Sequence, residues 1–482
     1  VDAVRIRFGE WLPDQPALNN PGTAFVKNVI PYAQAYGPLR SLSSFTGALT
    51  EACVAAIWAK DTSGDTYNHA GSASALWSLG ADYDWDDVSQ VGGYNNANWE
   101  WTQYGNRLIA VDINDVPQYY DLGTSTLYAD LTGSPPKAAH IGTVRNFVVL
   151  GNIIDGLNEY PARVVWSGYN NTTLWTPSRS TQSDRRDLEG RGGKVQRIVP
   201  GQYGIVFQEN SINVMEYAGP PTIFSFREVE SGRGTIAPQS VCWAGNQVFY
   251  LSHDGFYRFG QGSTPIGAEK IDRWFYNNVQ DVTNVRGVVD RTNKLTLWLF
   301  KTDSSLAYFN MLLIYNWVAD KWSHCEINLE CVAEFLSLPV SLDGLDAILT
   351  GGIDADSIPV DSPAFQGGTL SMIGFGTDHK AATFNGDALT AELETVEVGE
   401  SNRFCVKNVR PLISGAGSVQ ISNGFRNAQS DNYQYGLTKP VTDLGVANFR
   451  NNARYHRVKV TVSDGFDNAI GVDADAAPGG LR

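Results

Sequence analysis

Polar and apolar positions alternate along the chain in short stretches, and the longest apolar runs, residues 311–315 and 53–59, are only strand-sized. Alternation of period two marks a strand with one face buried and one wet. Over the first four-fifths of the sequence these stretches come in pairs. A segment ending in an aromatic, a polar turn and a second aromatic recur as Leu76-Trp77 then Trp85, Val165-Trp166 then Trp175, and Ile314-Tyr315 then Trp322. The paired aromatics are eight, nine and seven residues apart, which suits two short antiparallel strands and a tight turn. Residues 108–120, 204–217 and 248–259 read as related hairpins, the last turning at Asp254-Gly255.

The closing aromatics of these units, Trp85, Tyr120, Trp175, Tyr217, Phe259 and Trp322, are spaced by 35 to 63 residues. That scatter surrounds the roughly 40 to 50 residues of a four-stranded propeller blade. One blade cannot cover its own faces, so neighbours pack around an axis and circular closure protects the edges. The pattern therefore predicts an all-β chain built on a β-propeller of six or seven blades over residues 31–385. Separate β-sandwiches with coincidental aromatic spacing are the alternative. Residues 1–30, with Trp11-Leu-Pro-Asp-Gln-Pro and Asn20-Pro-Gly22, read as an extended N-terminal arm, because proline-dense segments rarely form central strands. Residues 386–482 change character. They contain no tryptophan and alternate cleanly over 391–398, 403–410, 417–422 and 457–463, which predicts a C-terminal β-sandwich-like module.

Composition agrees with this reading and narrows the function classes. Of 482 residues 48 are glycine, 11% are aromatic and only 3 are methionine, a balance suited to strands and turns and not to helical bundles. No run approaches the roughly 18 to 20 apolar residues of a membrane-spanning helix, so no membrane insertion is expected. The net charge of −15 is opposite in sign to a phosphate-gripping surface. Cys53, Cys242, Cys325, Cys331 and Cys405 are too sparse for a disulfide framework and read as free buried thiols. Residues 1–10 have neither a basic nor an apolar leader region, so assembly in a cytoplasm is expected.

Signatures of chemistry are few. Asp82, Asp84 and Asp86, Asp354 with Asp356, and Asp473 with Asp475 alternate as calcium-binding oxygens can, but the first group lacks the loop glycine and distal glutamate of a calcium-binding loop. Residues 252–257, Ser-His-Asp-Gly-Phe-Tyr, resemble an Asp-box hairpin without its closing tryptophan. Gly190-Arg-Gly-Gly-Lys194 is followed by Val195 where a phosphate loop needs Ser or Thr. It reads as a charged loop between blades, and Arg179, Arg185, Arg186 and Arg191 form the densest basic patch, suited to DNA or an acidic neighbouring subunit. The six histidines, at 69, 140, 253, 324, 379 and 456, show no metal spacing. No catalytic, cofactor or metal residue is therefore assigned, and no enzymatic activity is expected.

Several segments together resemble one family. Trp11-Leu-Pro-Asp-Gln-Pro, Asn28-Val-Ile-Pro-Tyr32, Trp99-Glu-Trp-Thr-Gln-Tyr-Gly-Asn106, Trp166-Ser-Gly with Trp175, residues 252–257, Pro265-Ile-Gly-Ala-Glu-Lys-Ile-Asp272, and residues 454–460 through 471–475 are similar to the β-propeller tail proteins of short-tailed bacteriophages. These are the nozzle, hub or packaged-DNA-stabilising proteins. The resemblance implies a structural virion protein in a homohexameric ring beneath the portal and adaptor, through which double-stranded DNA leaves. It also implies closure of the tail after packaging and anchoring of needle, spike or fibre proteins. In that setting the acidic balance has a use, because each Lys or Arg contact to a phosphate would brake a sliding duplex. A glycan-binding or glycan-cleaving propeller, with Trp99 and Trp101 stacking on sugars, is the alternative.

Overall fold

The computed structural model describes residues 3–18, 20–95, 97–338, 368 and 370–479. Seven four-stranded antiparallel sheets follow one another along the chain as the blades of a propeller. Blades one to six occupy residues 55–87, 100–130, 137–187, 195–231, 242–265 and 286–329. Blade seven takes three strands from Cys331–Leu336, Leu370–Phe375 and Lys380–Thr383 and its fourth from the distant Ser43–Ala48. This borrowed strand closes the ring. The open edge that blade seven would otherwise expose is thereby paired.

The period-two pattern explains why seven sheets form a ring. The second strand of blade six, Leu295–Phe300, is buried along its whole length because its two faces enter two different cores. Leu295, Leu297 and Leu299 face blade seven, and Trp298 and Phe300 face blade five. The same division holds in blade two, where Leu108 and Ala110 meet blade one while Ile109 and Val111 meet blade three. It recurs in blade four, where Val206 meets blade three and Ile205 and Phe207 meet blade five. One apolar cluster thus fills each junction between neighbouring blades. The blades have little surface left to solvate, which is the geometric condition for closing a ring.

The aromatic markers lie on different strands of their blades, which accounts for their uneven spacing. Trp85 and Trp322 are on fourth strands, whereas Tyr120, Tyr217 and Phe259 are on third strands. Trp175 is in a loop, and the strand pairing with Arg163–Trp166 is Asp184–Asp187. The arm and module also differ from expectation in their limits. Strands Ala3–Arg7, Phe25–Lys27, Val29–Pro31 and Tyr36–Pro38 all join the C-terminal strands in one eleven-stranded sheet. Its long members, Val398–Ser414 and Ala447–Ser463, carry register shifts and each pair with more than one neighbour, so the sheet is nearly closed on itself. The arm therefore runs to residue 38, and the propeller begins at residue 43.

The arm ties this sheet to the ring. Asp14 accepts hydrogen bonds from the backbone N–H groups of Arg273 (2.8 Å) and Trp274 (2.7 Å), at the start of the only α-helix among the described residues, Asp272–Asn278. A carboxylate suits these unpaired first-turn donors. Trp11 packs edge-on against Trp274 at 4.8 Å, Gln15 Nε2 donates to the Glu269 carbonyl at 2.8 Å, and Lys270 pairs with Glu10 at 2.7 Å. Asn28 Nδ2 donates to the Thr390 carbonyl while its Oδ1 accepts from the Glu326 N–H, bridging the sheet to blade six. Asp14→Ala is expected to lower the unfolding free energy by about 1–2 kcal/mol, the usual cost of a lost helix cap. Urea denaturation checks this, and an unchanged midpoint would show that the arm is not held through Asp14.

Candidate functional site

The first strand of every blade faces the propeller axis, and together they wall a cavity of about 490 Å³. Its lining includes Trp58, Trp101 and Trp243 with Glu100, Arg197, Arg286, Arg291 and Glu334. Charged residues on otherwise apolar first strands are the local signal for such a site, as in Val-Gln-Arg-Ile-Val over 195–199 and Cys-Val-Ala-Glu-Phe-Leu over 331–336. Trp99 and Trp101 stand out in the sequence, whereas the glutamate between them does not.

Glu100 is the most deeply held of these charges. Its Oε2 accepts from Arg197 (2.7 Å) and His140 Nδ1 (3.0 Å), and its Oε1 from the Ile141 N–H (3.1 Å). Burial pushes the carboxyl up, but the Arg197 charge and the His140 and Ile141 hydrogen bonds outweigh it and hold it below the ordinary range. Glu334 ends up on the other side. Burial raises its pKa against the opposing pull of Arg291 at 3.3 Å and the Trp58 indole N–H at 3.4 Å. At one side of the cavity the Cys331 thiol is drawn down, first by a hydrogen bond from Cys53 and then by the nearby Arg286 charge, while burial pushes Cys53 up. All five cysteines are free thiols.

Trp99 is buried, edge-on to Tyr94 at 4.6 Å, with its indole N–H on the Ser72 carbonyl at 2.9 Å, and both it and Trp101 line the cavity. The other motif residues have structural surroundings. In the Gly190–Lys194 stretch the Gly193 carbonyl accepts from Gln208, and Glu209 faces the Lys194 N–H at 3.2 Å, so a carboxylate sits where a phosphate would. Arg185 and Arg186 are on the exposed outer strand of blade three, not in a loop, where positive charge discourages edge pairing. Asp473 pairs with Arg5 at 2.9 Å and Asp475 accepts from Asn408 at 3.3 Å. Asp354 and Asp356 lie outside the described residues. Among the described residues no group of three or more His, Cys, Asp or Glu side chains could hold a metal ion, and no helix is long and apolar enough to cross a membrane.

A second polar centre lies under the arm. Asp254 accepts from the Tyr257 hydroxyl (2.8 Å) and Arg233 (3.2 Å), and next to it Gly255 adopts φ +140°. A side chain at Gly255 would run into the Asp272 carboxylate, as would one at Gly267, so both glycines are required by the close approach. Burial raises the pKa of Asp272 to about 7, against the pull of the Phe256 N–H and with the help of Asp14 and Asp254. Because the folded value lies above the unfolded one, the fold holds this proton more tightly. Its contribution to stability is present at low pH and is lost as pH rises through the folded value. Buried His69 and His324, each lowered to about 3 by burial, act in the opposite sense and lose stability as pH falls below their unfolded value. The expected signature of Asp272 is therefore a difference. Stability of wild type minus Asp272→Asn, from urea titrations, should fall between about pH 4 and 7; a flat difference would show that Asp272 is ionised in the fold.

No family model matches the chain, and no curated protein matches it. Solved structures do resemble it. A computationally designed protein, Ika8, is 10% identical with a TM-score of 0.38, covering 78% of this chain and 99% of its own. The extracellular domain of a hybrid two-component system of B. thetaiotaomicron is 12% identical with a TM-score of 0.41, covering 86% of this chain and 47% of its own. The WD40 domain of Neurospora crassa Pan2 is 6% identical with a TM-score of 0.40, covering 73% of this chain and 96% of its own.

Proposed function

We propose that this chain is a structural protein of a short phage tail, of the nozzle or hub kind, working through shape and interfaces without turnover. In this reading six copies form a ring below the portal and adaptor, close the tail after packaging and anchor needle, spike or fibre proteins. One observation carries the proposal. Four of the segments on which the family resemblance rests, 11–16, 28–32, 252–257 and 265–272, come from distant parts of the chain and converge at the junction of arm, propeller and C-terminal sheet. A shared core continues across that junction from Trp11 and Tyr36 through Phe256 and Trp322 to Val460 and Val472. Such a joint suits a part that bears load between two sets of neighbours.

The propeller's own axis is not the DNA conduit in this reading. Its cavity of about 490 Å³ is of small-ligand size. The conduit lies between copies, and the net charge of −15 favours a duplex that slides past and is not gripped. DNA-filled capsids that carry portal and adaptor but lack this chain provide the test. Adding the chain should protect the packaged DNA from nuclease, and continued digestion would refute the proposal. A glycan-directed propeller is the second reading, favoured by Trp58, Trp101 and Trp243 in the axial cavity. It predicts saturable binding of host-surface polysaccharide by the isolated chain.

A further inference from the structure

The carboxylates close to the axial cavity each have a partner of their own. Glu100 pairs with Arg197, Glu334 with Arg291, and Glu330, just behind the wall, accepts from His379 Nδ1 at 2.7 Å and from the Cys53 N–H at 3.0 Å. Arg286 is different. Its guanidinium donates to the Val54 carbonyl and lies 5.2 Å from the Phe309 ring centroid, but it forms no ion pair with any carboxylate among the described residues. It also lines the cavity, together with four tryptophans, Trp58, Trp99, Trp101 and Trp243. A half-buried guanidinium without a counter-charge is costly, and its planar set of donors matches a carboxylate or a phosphate. The volume is that of a pocket for a small organic molecule, and the flat apolar faces of Trp58, Trp101 and Trp243 suit a flat body attached to the anion.

We propose that the axial cavity binds a small organic oxyanion, with its carboxylate or phosphate group on Arg286 and its apolar part among Trp58, Trp101 and Trp243. The neighbouring Cys331 thiol is the rival partner of Arg286, and the experiment separates the two. Benzoate and phenyl phosphate serve as probes and benzyl alcohol as the neutral control, with binding to the full-length chain followed by calorimetry and by tryptophan fluorescence. Wild type should bind at least one anion saturably and the alcohol about tenfold or more weakly, since the alcohol cannot form the charge-assisted hydrogen bonds with the guanidinium. The better of the two anions identifies which oxyanion the site prefers. Arg286→Met should weaken anion binding about tenfold or more, Arg286→Lys should restore part of it, and Cys331→Ala should leave it intact. Each variant is first checked for a wild-type circular dichroism spectrum, and the lysine variant keeps the comparison available should the methionine variant not fold. Absence of saturable binding of both anions to wild type would overturn the proposal. So would binding unchanged in Arg286→Met, or lost only in Cys331→Ala.

Discussion

Trp322→Ala is expected to lower the unfolding free energy by about 3–5 kcal/mol, the range for a large aromatic removed from a core. Trp322 is fully buried on the outer strand of blade six. It stacks on Trp298 at 5.6 Å, lies 4.5 Å from Tyr315 and 5.4 Å from Phe256, and donates its indole N–H to the Ile266 carbonyl at 2.9 Å. These partners belong to blades five and six, in the same core that extends into the arm and the C-terminal sheet. The substitution therefore empties a cavity where three parts of the molecule meet. Denaturant unfolding followed by circular dichroism checks it, and a loss under about 1 kcal/mol would place the joint elsewhere.

Glu100→Leu is the second large effect, again about 3–5 kcal/mol, because it strands a buried cation. Arg197 would lose its only ion-pair partner among the described residues, and His140 and the Ile141 N–H would lose their acceptor. The physical cause is desolvation and not lost attraction. The double variant Glu100→Leu/Arg197→Met, which removes the charge left behind, should accordingly recover much of the loss. If the two losses simply add, the pair is not coupled as the distances imply.

The propeller was legible in the sequence because its determinants are local. Alternation in segments such as 204–217 and 248–259, with turns of Gly, Asn and Asp between them, follows from the pleat and from tight-turn geometry. The blade count was not legible, since the markers Trp85 and Tyr120 occupy different strands of their blades and since Ser43–Ala48 completes a sheet whose other strands begin at Cys331. The C-terminal strands were readable from their alternation. Their partners in the arm were not, because strands such as Phe25–Lys27 are only three residues long and acquire meaning by pairing with Ala391–Glu394.

The sites divide in the same way. Asp14 stands in a recognisable segment, yet its role as a cap depends on a helix 259 residues away. Glu100, Arg197, Arg286 and Glu334 come from the first strands of four different blades, and only the closing of the ring brings them to one axis. A single charged residue within an apolar strand was the available clue. The Gly190–Lys194 stretch shows the opposite failing, since a glycine-rich pattern suggested a phosphate loop but the backbone groups are taken by Gln208 and Glu209.

The claim at the centre of this account is that the chain works as one member of a six-copy ring at the portal. Electron microscopy of the purified full-length chain mixed with its cognate portal–adaptor complex tests it most directly. The account predicts a six-fold ring of propellers added below the adaptor, enclosing a channel between the copies and not through each propeller's axis. A chain that stays monomeric and leaves the portal–adaptor complex bare would contradict it.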